Sequence, residues 1–574
     1  MSTHGKISLW VLDFPFAKPL KPPPAGELVS APPGFRHFLG NPDPSQQYAI
    51  DGVPFDPTVP AQRDRADDLM CKLAGAMLFQ YPSDPFNPNI PSGYTYLLQL
   101  IAHDLVESSL FLSRNQSSPI GLSNVRRKPL RLETIFGGGP IECPHAYEHC
   151  AGFRDRLRLG QVRPDGRRSD GQDGDLRDIA RARATEVHDL PEYPEALIAD
   201  PRNDSHAILS QLVVMFHHFQ RKILDSIEAY VNTHSAGSPV VDAQRKFVAT
   251  HAACALIFRS IIRNDVLARI LHPDVRAAHE AGIPIADPPV GLDNGTWQVP
   301  LEFSYGFYRF GHAMIRAKYS FNPETPPPFG RFDLADILKH NSDDCPGEMP
   351  FENKWTIDWP RFFGNDPETT NLSIRIGPWS RLDLENGVRG SDPHEPGLTV
   401  RDLTSSIATQ PWSVRALAQA LSKTHGKLFQ SSPFLSGSLE DPANPPWLGR
   451  ISNWLMQRRS YPGQGLSNDE IRILATDPPI PFFARFEAGE DDSIKGMHLG
   501  VLTSIVVADV FYGVFQRDRL LGIDDDRDLA RQLAQVSMLV FDNQSDAFAG
   551  LEGISTVSNL IAYLGDLVRF PTGG

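Results

Sequence analysis

Residues 90–104 read IPSGYTYLLQLIAHD, and the helical spacing of their apolar residues decides the fold class. The periodic run begins at Tyr94, with Ser92 before it as the predicted N-cap. Gln99 and His103 are four residues apart, so both side chains point to the same side of the predicted helix. Such a pair is either an ordinary packed pair or part of a functional site, and this stretch alone leaves both interpretations open.

The same periodicity recurs along most of the chain, at residues 206–229, 242–271, 301–316, 412–421, 468–475, 499–515 and 527–541. Strand alternation is scarce, and no internal repeat is visible. We therefore predict a mainly α fold with few short strands, which suits a cofactor buried among helices. The apolar run 496–515 is long enough to cross a membrane. His498 and Asp509 interrupt it, so we predict a buried core helix and no membrane span.

Composition excludes several classes of protein. The 574 residues include 55 Lys and Arg against 69 Asp and Glu, a net charge of −14, which argues against nucleic-acid binding. Five cysteines are too few for a disulfide scaffold. The N-terminal apolar stretch is short and interrupted, so it is not a convincing signal peptide, and we expect a cytoplasmic protein. Composition does not indicate the oligomeric state.

Domain organisation follows from the distribution of proline and charge. The 51 prolines are dense near the start of the chain, so we predict an extended arm over residues 1–74 and one main domain over 75–574. Residues 153–190 mix arginine, aspartate and glycine, which is typical of a solvated charged loop. The segment CPHAYEHC at 143–150 could bind zinc, but its cysteine spacing favours a surface loop.

Two further segments place unusual polar residues in helical contexts. In FYRFGH, at 307–312, Gly311 leaves room for a flat ligand beside His312, and Arg309 is three residues earlier on the same side. A buried arginine needs an anion, which a carboxylate-bearing cofactor could supply. In LIADPRND, at 197–204, Arg202 precedes a predicted helix, where its charge is disfavoured, so another group must hold it there.

Together, the segments IPSGYTYLLQLIAHD, LIADPRND and FYRFGH, in this order, resemble the animal-type haem peroxidases of the peroxidase–cyclooxygenase superfamily, and most of all its bacterial members. The resemblance covers roughly residues 75 to 550. It implies a helical fold with haem b buried between core helices. It also implies hydrogen peroxide and a small organic donor as substrates, with easily oxidised halides or pseudohalides as further donors.

On the distal side of the haem, the resemblance implies that His103 is the catalytic histidine, Gln99 its neighbouring glutamine and Arg202 the distal arginine. A neutral imidazole can take a proton from hydrogen peroxide and return it to the leaving oxygen. A fixed guanidinium stabilises the negative charge that develops as the O–O bond breaks.

On the proximal side, the resemblance implies that His312 is the iron ligand and that Arg309 pairs with a haem propionate. The segment MQRRSYPGQGLSN, at 456–468, can be laid over a family stretch that ends in an asparagine. Asn468 would then accept the second N–H of the proximal histidine. Such a partner tunes how much electron density the histidine donates to the iron.

The chain departs from the family at two sets of positions. Ala102 and Ser205 stand where mammalian members have ester-forming carboxylates, so we predict haem bound without covalent links. In the family, Asp104 would be one calcium ligand and Glu133 another, but Arg131 occupies a third ligand position. A calcium shell does not accept a guanidinium, so a calcium ion is doubtful. We hypothesise that Arg131 pairs with Asp104 instead.

Three functions stay open at this point. The dioxygenase branches of the family need a tyrosine three residues before the proximal histidine, where this chain has Arg309. Tyr308 and Tyr305 are out of register, which favours a peroxidase. The alternatives are a haem-dependent oxygenase acting on a fatty acid or natural product, and an adhesion or scaffold protein on a degenerate peroxidase fold.

Overall fold

The computed structural model describes residues 34–78, 85–108, 123–126, 128–150, 153–163, 176–182, 194–234, 239–285, 298–324, 331–389, 396–458, 465–523 and 527–571. Within these ranges the first ten helices are α1 Pro60–Met77, α2 Gly93–Leu105, α3 Glu133–Phe136, α4 Gly139–Glu142, α5 Ala207–His234, α6 Pro239–Ile261, α7 Leu267–Ile270, α8 Pro273–Glu280, α9 Leu301–Ser304 and α10 Leu334–Lys339. The other ten are α11 Pro360–Phe363, α12 Leu382–Arg389, α13 Leu398–Ala408, α14 Val414–Gln430, α15 Leu448–Gln457, α16 Asn468–Thr476, α17 Ile480–Gly489, α18 Val501–Arg517, α19 Leu529–Val540 and α20 Val557–Leu564.

The strands are short and pair two by two within the described residues. They are β1 Phe35–Arg36, β2 Ala49–Ile50, β3 Val53–Pro54, β4 Phe86–Pro91, β5 Tyr147–Cys150, β6 Phe153–Leu157, β7 Leu159–Gln161, β8 Arg177–Ile179, β9 Val299–Pro300, β10 Lys318–Ser320, β11 Arg331–Asp333 and β12 Leu372–Ile374. Strands β1 and β9 pair in parallel, and the pairs β2–β3, β4–β12, β5–β6, β7–β8 and β10–β11 are antiparallel. The predicted fold class, mainly α with few short strands, is confirmed.

Helix α2 occupies the centre of the molecule, and its start is fixed by close packing. An added Cβ at Gly93 would come within 2.6 Å of the Phe362 carbonyl oxygen and 2.7 Å of the Phe363 ring, so only glycine fits there. Ser92 precedes the helix as predicted, but its hydroxyl makes no capping hydrogen bond. Tyr94 instead anchors the first turn, because its hydroxyl donates to Asp265 Oδ2 at 2.7 Å.

Helix α18 is buried along almost its whole length, as predicted for the apolar run around it. Its start is capped from another helix: Glu487 of α17 accepts hydrogen bonds from the backbone N–H groups of Leu502 and Thr503, at 2.8 and 3.0 Å. Among the described residues, no helix has both the length and the apolarity required to span a bilayer.

The structure differs from the sequence predictions in three places. Residues 1–33 of the predicted arm lie outside the described residues, but its end forms α1, whose Leu69 and Leu73 are fully buried. The helix predicted over 301–316 breaks after α9 and continues as a 3₁₀ segment, Phe307–Met314, because the backbone of Gly306 is not helical, with φ −122° and ψ −96°. The predicted charged loop 153–190 contains β6, β7 and β8 where it is described.

Candidate active site

His103 lies near the C-terminal end of α2, on its buried side, and is only 8% exposed. Burial disfavours the imidazolium, and the positive charge of Arg202 acts in the same direction. Together they lower the pKa of His103 to about 3. The imidazole is therefore neutral at physiological pH and can accept a proton.

Asn203 fixes which nitrogen of His103 accepts that proton. The Asn203 amide nitrogen donates to the carbonyl oxygen and the hydroxyl of Thr134, both at 3.0 Å. Its Oδ1 must therefore be the acceptor in the 2.9 Å hydrogen bond to His103 Nδ1. The proton of the neutral imidazole is then on Nδ1, so Nε2 carries the lone pair. Asn203 was not singled out from the sequence, where Arg202 beside it was the unusual residue of this segment.

Arg202 lies in the 3₁₀ segment Pro201–Asp204 and joins it to the end of α2. Its guanidinium donates to Asp200 Oδ1 at 3.0 Å and to Oδ2 at 2.6 Å. It also donates to the carbonyl oxygens of His103, at 3.0 Å, and Val106, at 2.8 Å. Asp200 is thus the group that holds an arginine at a helix start, which the sequence left open.

Asp200 is shared between two guanidinium groups. Arg126 donates to Asp200 Oδ2 as well, and its Nε donates to the His103 carbonyl oxygen at 2.9 Å. Burial alone would raise the pKa of Asp200, but the charges of Arg202 and Arg126 outweigh burial and hold this pKa well below its ordinary value. The backbone at His103 is therefore clamped by two arginines through one ionised carboxylate.

Gln99 faces the start of α5, where it meets His206, a residue not singled out from the sequence. The Leu209 backbone N–H donates to His206 Nδ1 at 3.3 Å, so Nε2 carries the proton and donates to Gln99 Oε1 at 3.0 Å. Burial lowers the pKa of His206 to about 4, which keeps it neutral. His206 thereby orients the Gln99 amide.

His312 lies in the Phe307–Met314 segment, which packs alongside α2, the helix that carries His103. Its Nδ1 is 2.7 Å from Asp402 Oδ2, on α13. Within the described part of the chain, only this nitrogen of His312 has a hydrogen-bond partner, which leaves Nε2 for a ligand. A carboxylate on the second nitrogen is the usual environment of a metal-bound histidine.

The backbone beside His312 borders open space, as a site for a flat prosthetic group requires. An added Cβ at Gly311 would meet no atom within 4 Å, and the His312 side chain is 21% exposed. Arg309 is 34% exposed, with its Nε donating to the Ser304 carbonyl oxygen at 2.9 Å and Nη1 4.0 Å from Asp402 Oδ1. Its guanidinium therefore stays accessible to an anionic group.

The predicted role of Asn468 differs from the structure. Asn468 is the exposed first residue of α16, and Ser467 and Glu470 form a capping box around it. The partner of His312 is Asp402 instead. The loose match of MQRRSYPGQGLSN to the family stretch therefore coincides with a helix start, where serine and glutamate have a local role of their own.

The hypothesised pair of Arg131 and Asp104 is wrong. Asp104 accepts from the backbone N–H groups of Leu132 and Thr134, both at 3.0 Å, while Arg131 pairs with Asp518 at 2.6 and 2.8 Å. Burial dominates over these hydrogen bonds and raises the pKa of Asp104 to about 6. Backbone N–H groups, which no sequence pattern displays, thus take the place expected for a cation.

The other candidate metal ligands are also engaged with the backbone. Glu133 accepts from the Lys128 N–H at 3.3 Å, and His145 of the CPHAYEHC segment has its Nε2 3.1 Å from the Ile198 carbonyl oxygen. The described ranges contain no group of three or more histidine, cysteine, aspartate or glutamate side chains that could hold a metal ion.

The two positions that replace ester-forming carboxylates lie at the distal side. Ala102 is half-buried on α2, and Ser205 is buried. The nearby Asp204 is fully engaged, because it accepts from Arg181 at 2.8 and 3.0 Å and from the Ser210 hydroxyl at 3.0 Å. It therefore does not substitute for the missing carboxylates.

Two tyrosines lie near the start of the Phe307–Met314 segment, Tyr305 before it and Tyr308 within it. The Tyr305 hydroxyl is 2.8 Å from Ser108 Oγ, close to the C-terminal end of α2. The Tyr308 ring stacks on Phe303 with a centroid distance of 4.6 Å, and its hydroxyl is buried without a hydrogen-bond partner among the described residues. Burial raises the pKa of Tyr308 well above its ordinary value.

Comparison with solved structures shows the same architecture over nearly the whole chain. Peroxidase A from Dictyostelium discoideum matches at 12% identity with a TM-score of 0.55, covering 95% of each chain. Fatty acid alpha-dioxygenase from Oryza sativa matches at 11% identity and TM-score 0.52, covering 95% of this chain and 87% of that one. The Arabidopsis thaliana alpha-dioxygenase matches at 10% identity and TM-score 0.54, covering 94% and 81%.

No protein-family profile matches this sequence, and no curated protein matches it. The architecture is therefore recognised in three dimensions, where the arrangement of helices persists at identities of 10% to 12%. The chain has the fold of Peroxidase A from Dictyostelium discoideum and of the two fatty acid alpha-dioxygenases.

Proposed function

We propose that this protein is a haem peroxidase, which uses hydrogen peroxide to oxidise small organic donors and binds haem b without covalent links. The observation that carries the proposal is that the two imidazoles have different hydrogen-bond partners at Nδ1, an amide oxygen for one and a carboxylate for the other. His103 is buried and neutral, with its lone pair on Nε2, and His312 is bonded through Nδ1 to a carboxylate. Such a pair provides a proton acceptor and a metal ligand on two packed segments.

When bound, haem supplies the oxidising chemistry, as iron porphyrins do in this fold. His312 would hold it through Nε2, and the accessible Arg309 would pair with a propionate. His103 Nε2 would take the proton of the incoming peroxide and deliver it to the leaving oxygen. Arg202 and Arg126 hold the backbone at His103 in place during this transfer.

The proposal is tested by reconstituting the purified protein with haemin and recording its spectrum before and after peroxide. We expect a Soret band, its change on peroxide addition, and turnover of phenolic donors. Extraction with acidified butanone should remove all of the haem, since neither Ala102 nor Ser205 carries the carboxylate that the ester link of the family requires. An absent Soret band would support the scaffold alternative.

A second candidate is a haem-dependent oxygenase that acts on a fatty acid. It is favoured by the match to two fatty acid alpha-dioxygenases and by the buried Tyr308 hydroxyl, which has no partner among the described residues. Oxygen uptake on addition of palmitic acid, without turnover of phenols, would select this candidate. Loss of that uptake in Tyr308→Phe, with haem retained, would assign the oxidation to this tyrosine.

A further inference from the structure

We propose that Asp402 and Arg485 together set how strongly His312 donates electron density to the iron, so that Asp402 is a positioning residue for the proximal ligand. This inference rests on the proposed haem function. It concerns residues that the sequence motifs did not include. Both lie on helices, α13 and α17, that pack against each other and leave the iron ligand on a third segment.

One oxygen of Asp402 receives both hydrogen bonds. Oδ2 is 2.7 Å from His312 Nδ1 and 2.8 Å from Arg485 Nη2. The other oxygen, Oδ1, is 4.0 Å from Arg309 Nη1. The imidazole and the guanidinium therefore compete for the negative charge at a single atom.

The pair is isolated from solvent, so salt screens its charges less than those of a surface pair. The side chains of Asp402 and Arg485 are 3% and 1% exposed. Arg485 is held further by the Ser380 hydroxyl and by the Arg309 carbonyl oxygen, both at 3.2 Å. The Arg309 carbonyl belongs to the same 3₁₀ segment as His312, so Arg485 fixes the ligand and its acceptor as one unit.

An ionised acceptor draws the Nδ1 proton and increases the basicity of the other nitrogen, more than a neutral amide does. Arg485 removes part of that effect, because it neutralises the same oxygen. The expected result is a donor strength between that of an amide-bonded and a lone carboxylate-bonded histidine. Such a ligand favours the ferric state and suits easily oxidised organic donors better than chloride.

A purely structural role is the competing explanation, because the pair also joins α13, α17 and the proximal segment. The two roles differ in a measurable way. A structural salt bridge affects stability and haem retention, whereas a tuning role also moves the ferric/ferrous midpoint potential and the iron–histidine stretching frequency of the haem-loaded protein. Both readouts are independent of peroxidase activity.

Asp402→Asn tests the proposal directly, but it leaves the buried Arg485 charge uncompensated and is expected to reduce stability. The double variant Asp402→Asn with Arg485→Gln removes both charges and keeps a polar side chain at each position, so no unpaired charge is left buried at this pair. Asn468→Ala is the matched control, since it changes the other candidate acceptor on an exposed helix start.

We expect the double variant to shift the ferric/ferrous equilibrium toward ferrous by at least tenfold, which is about 59 mV for one electron. The iron–histidine stretch of the double variant should move to lower frequency. Asp402→Glu keeps a carboxylate, so its potential and its stretch should lie closer to the wild-type values than those of the double variant. Asn468→Ala should change neither the potential nor the stretch. Haem-loaded double variant with wild-type potential and stretch would overturn the inference while leaving the proposed function intact. Wild-type protein that binds no haem would overturn both.

Discussion

The two histidines of the candidate site differ in the group that receives their Nδ1 proton. His103 donates to the neutral amide of Asn203, and His312 is bonded to the carboxylate of Asp402. The amide sets a tautomer without adding charge, which leaves Nε2 of His103 a weak base in a buried site. The carboxylate adds charge, which makes Nε2 of His312 a strong ligand. Under the proposed function, histidine thus acts as a base at position 103 and as a ligand at position 312, because the group bonded to Nδ1 differs.

The largest effect should come from replacing His312, the proposed iron ligand. His312→Ala should lose haem or hold it loosely, because the proposed function places the iron on the His312 imidazole. The measurement is the Soret absorbance after reconstitution and gel filtration. His145→Ala, in which the histidine meets only a backbone carbonyl, should keep full haem content. Full haem binding by His312→Ala would mean that another residue holds the iron.

Replacing His103, the proposed base, should leave haem in place and slow the reaction with peroxide. His103→Ala should retain the Soret band and reduce the rate of reaction with peroxide by about 10²–10⁴-fold, the usual contribution of a general base. Stopped-flow absorbance at increasing peroxide concentration measures this rate. The assignment of His103 as the proton acceptor fails if the rate matches that of the wild-type protein.

Replacing Asn203 by a carboxylate, the kind of partner that His312 has, should shift the pH dependence of the reaction with peroxide. With a pKa of about 3, His103 stays neutral as the pH falls, so the wild-type peroxide rate should be flat from pH 8 to pH 5. Asn203→Asp places a carboxylate at Nδ1, which raises the pKa of His103 and moves the acid limb toward neutral pH. The rate at pH 5 should therefore fall relative to pH 8. Asn468→Asp is the control, and an unshifted limb in Asn203→Asp would contradict the assigned partner.

Buried histidines outside the site should have a smaller effect, on the pH dependence of the free energy of unfolding. Burial is the largest cause that lowers their pKa values to about 3 or 4 in His217, His218, His251 and His340. Their folded-state pKa lies below the unfolded value, so the unfolded chain binds more protons once the pH falls below about 6.5. The lowered pKa values of His272, His425 and His498 add to this effect. The buried carboxyls with raised pKa oppose it, namely Asp104, Asp178, Glu385, Asp477 and Glu487.

The free energy of unfolding should therefore decrease as the pH falls from about 6.5 toward 4, as measured by urea titration at stepped pH. His218→Gln should reduce that slope by up to about 1.4 kcal/mol per pH unit, the value for one proton. His234→Gln, at an exposed site, should not change the slope. An equal slope in His218→Gln and wild type would show that His218 does not bind the extra proton on unfolding.

The candidate site could be predicted from the sequence only where its signals are local. Gln99 and His103 share a side of α2 because of their four-residue spacing, and the helix formed as predicted. The segments holding Arg202 and His312 were also identified, although the proximal segment is a 3₁₀ turn rather than the predicted helix. The predicted pairing of Arg131 with Asp104 failed because Asp104 binds the backbone N–H groups of Leu132 and Thr134, next to Arg131 in sequence. The Arg131 side chain pairs instead with Asp518, which is 387 residues away.

Neighbouring residues were enough to predict the mainly helical architecture and to locate the two imidazoles, since periodicity and motif order are local properties of the chain. The chemistry of the imidazoles depends on contacts that form only when the chain folds. Asn203 is 100 residues from His103, and Asp402 is 90 residues from His312. Hydrogen-bond partners across such separations depend on how helices pack, and packing brings together residues that no local spacing relates.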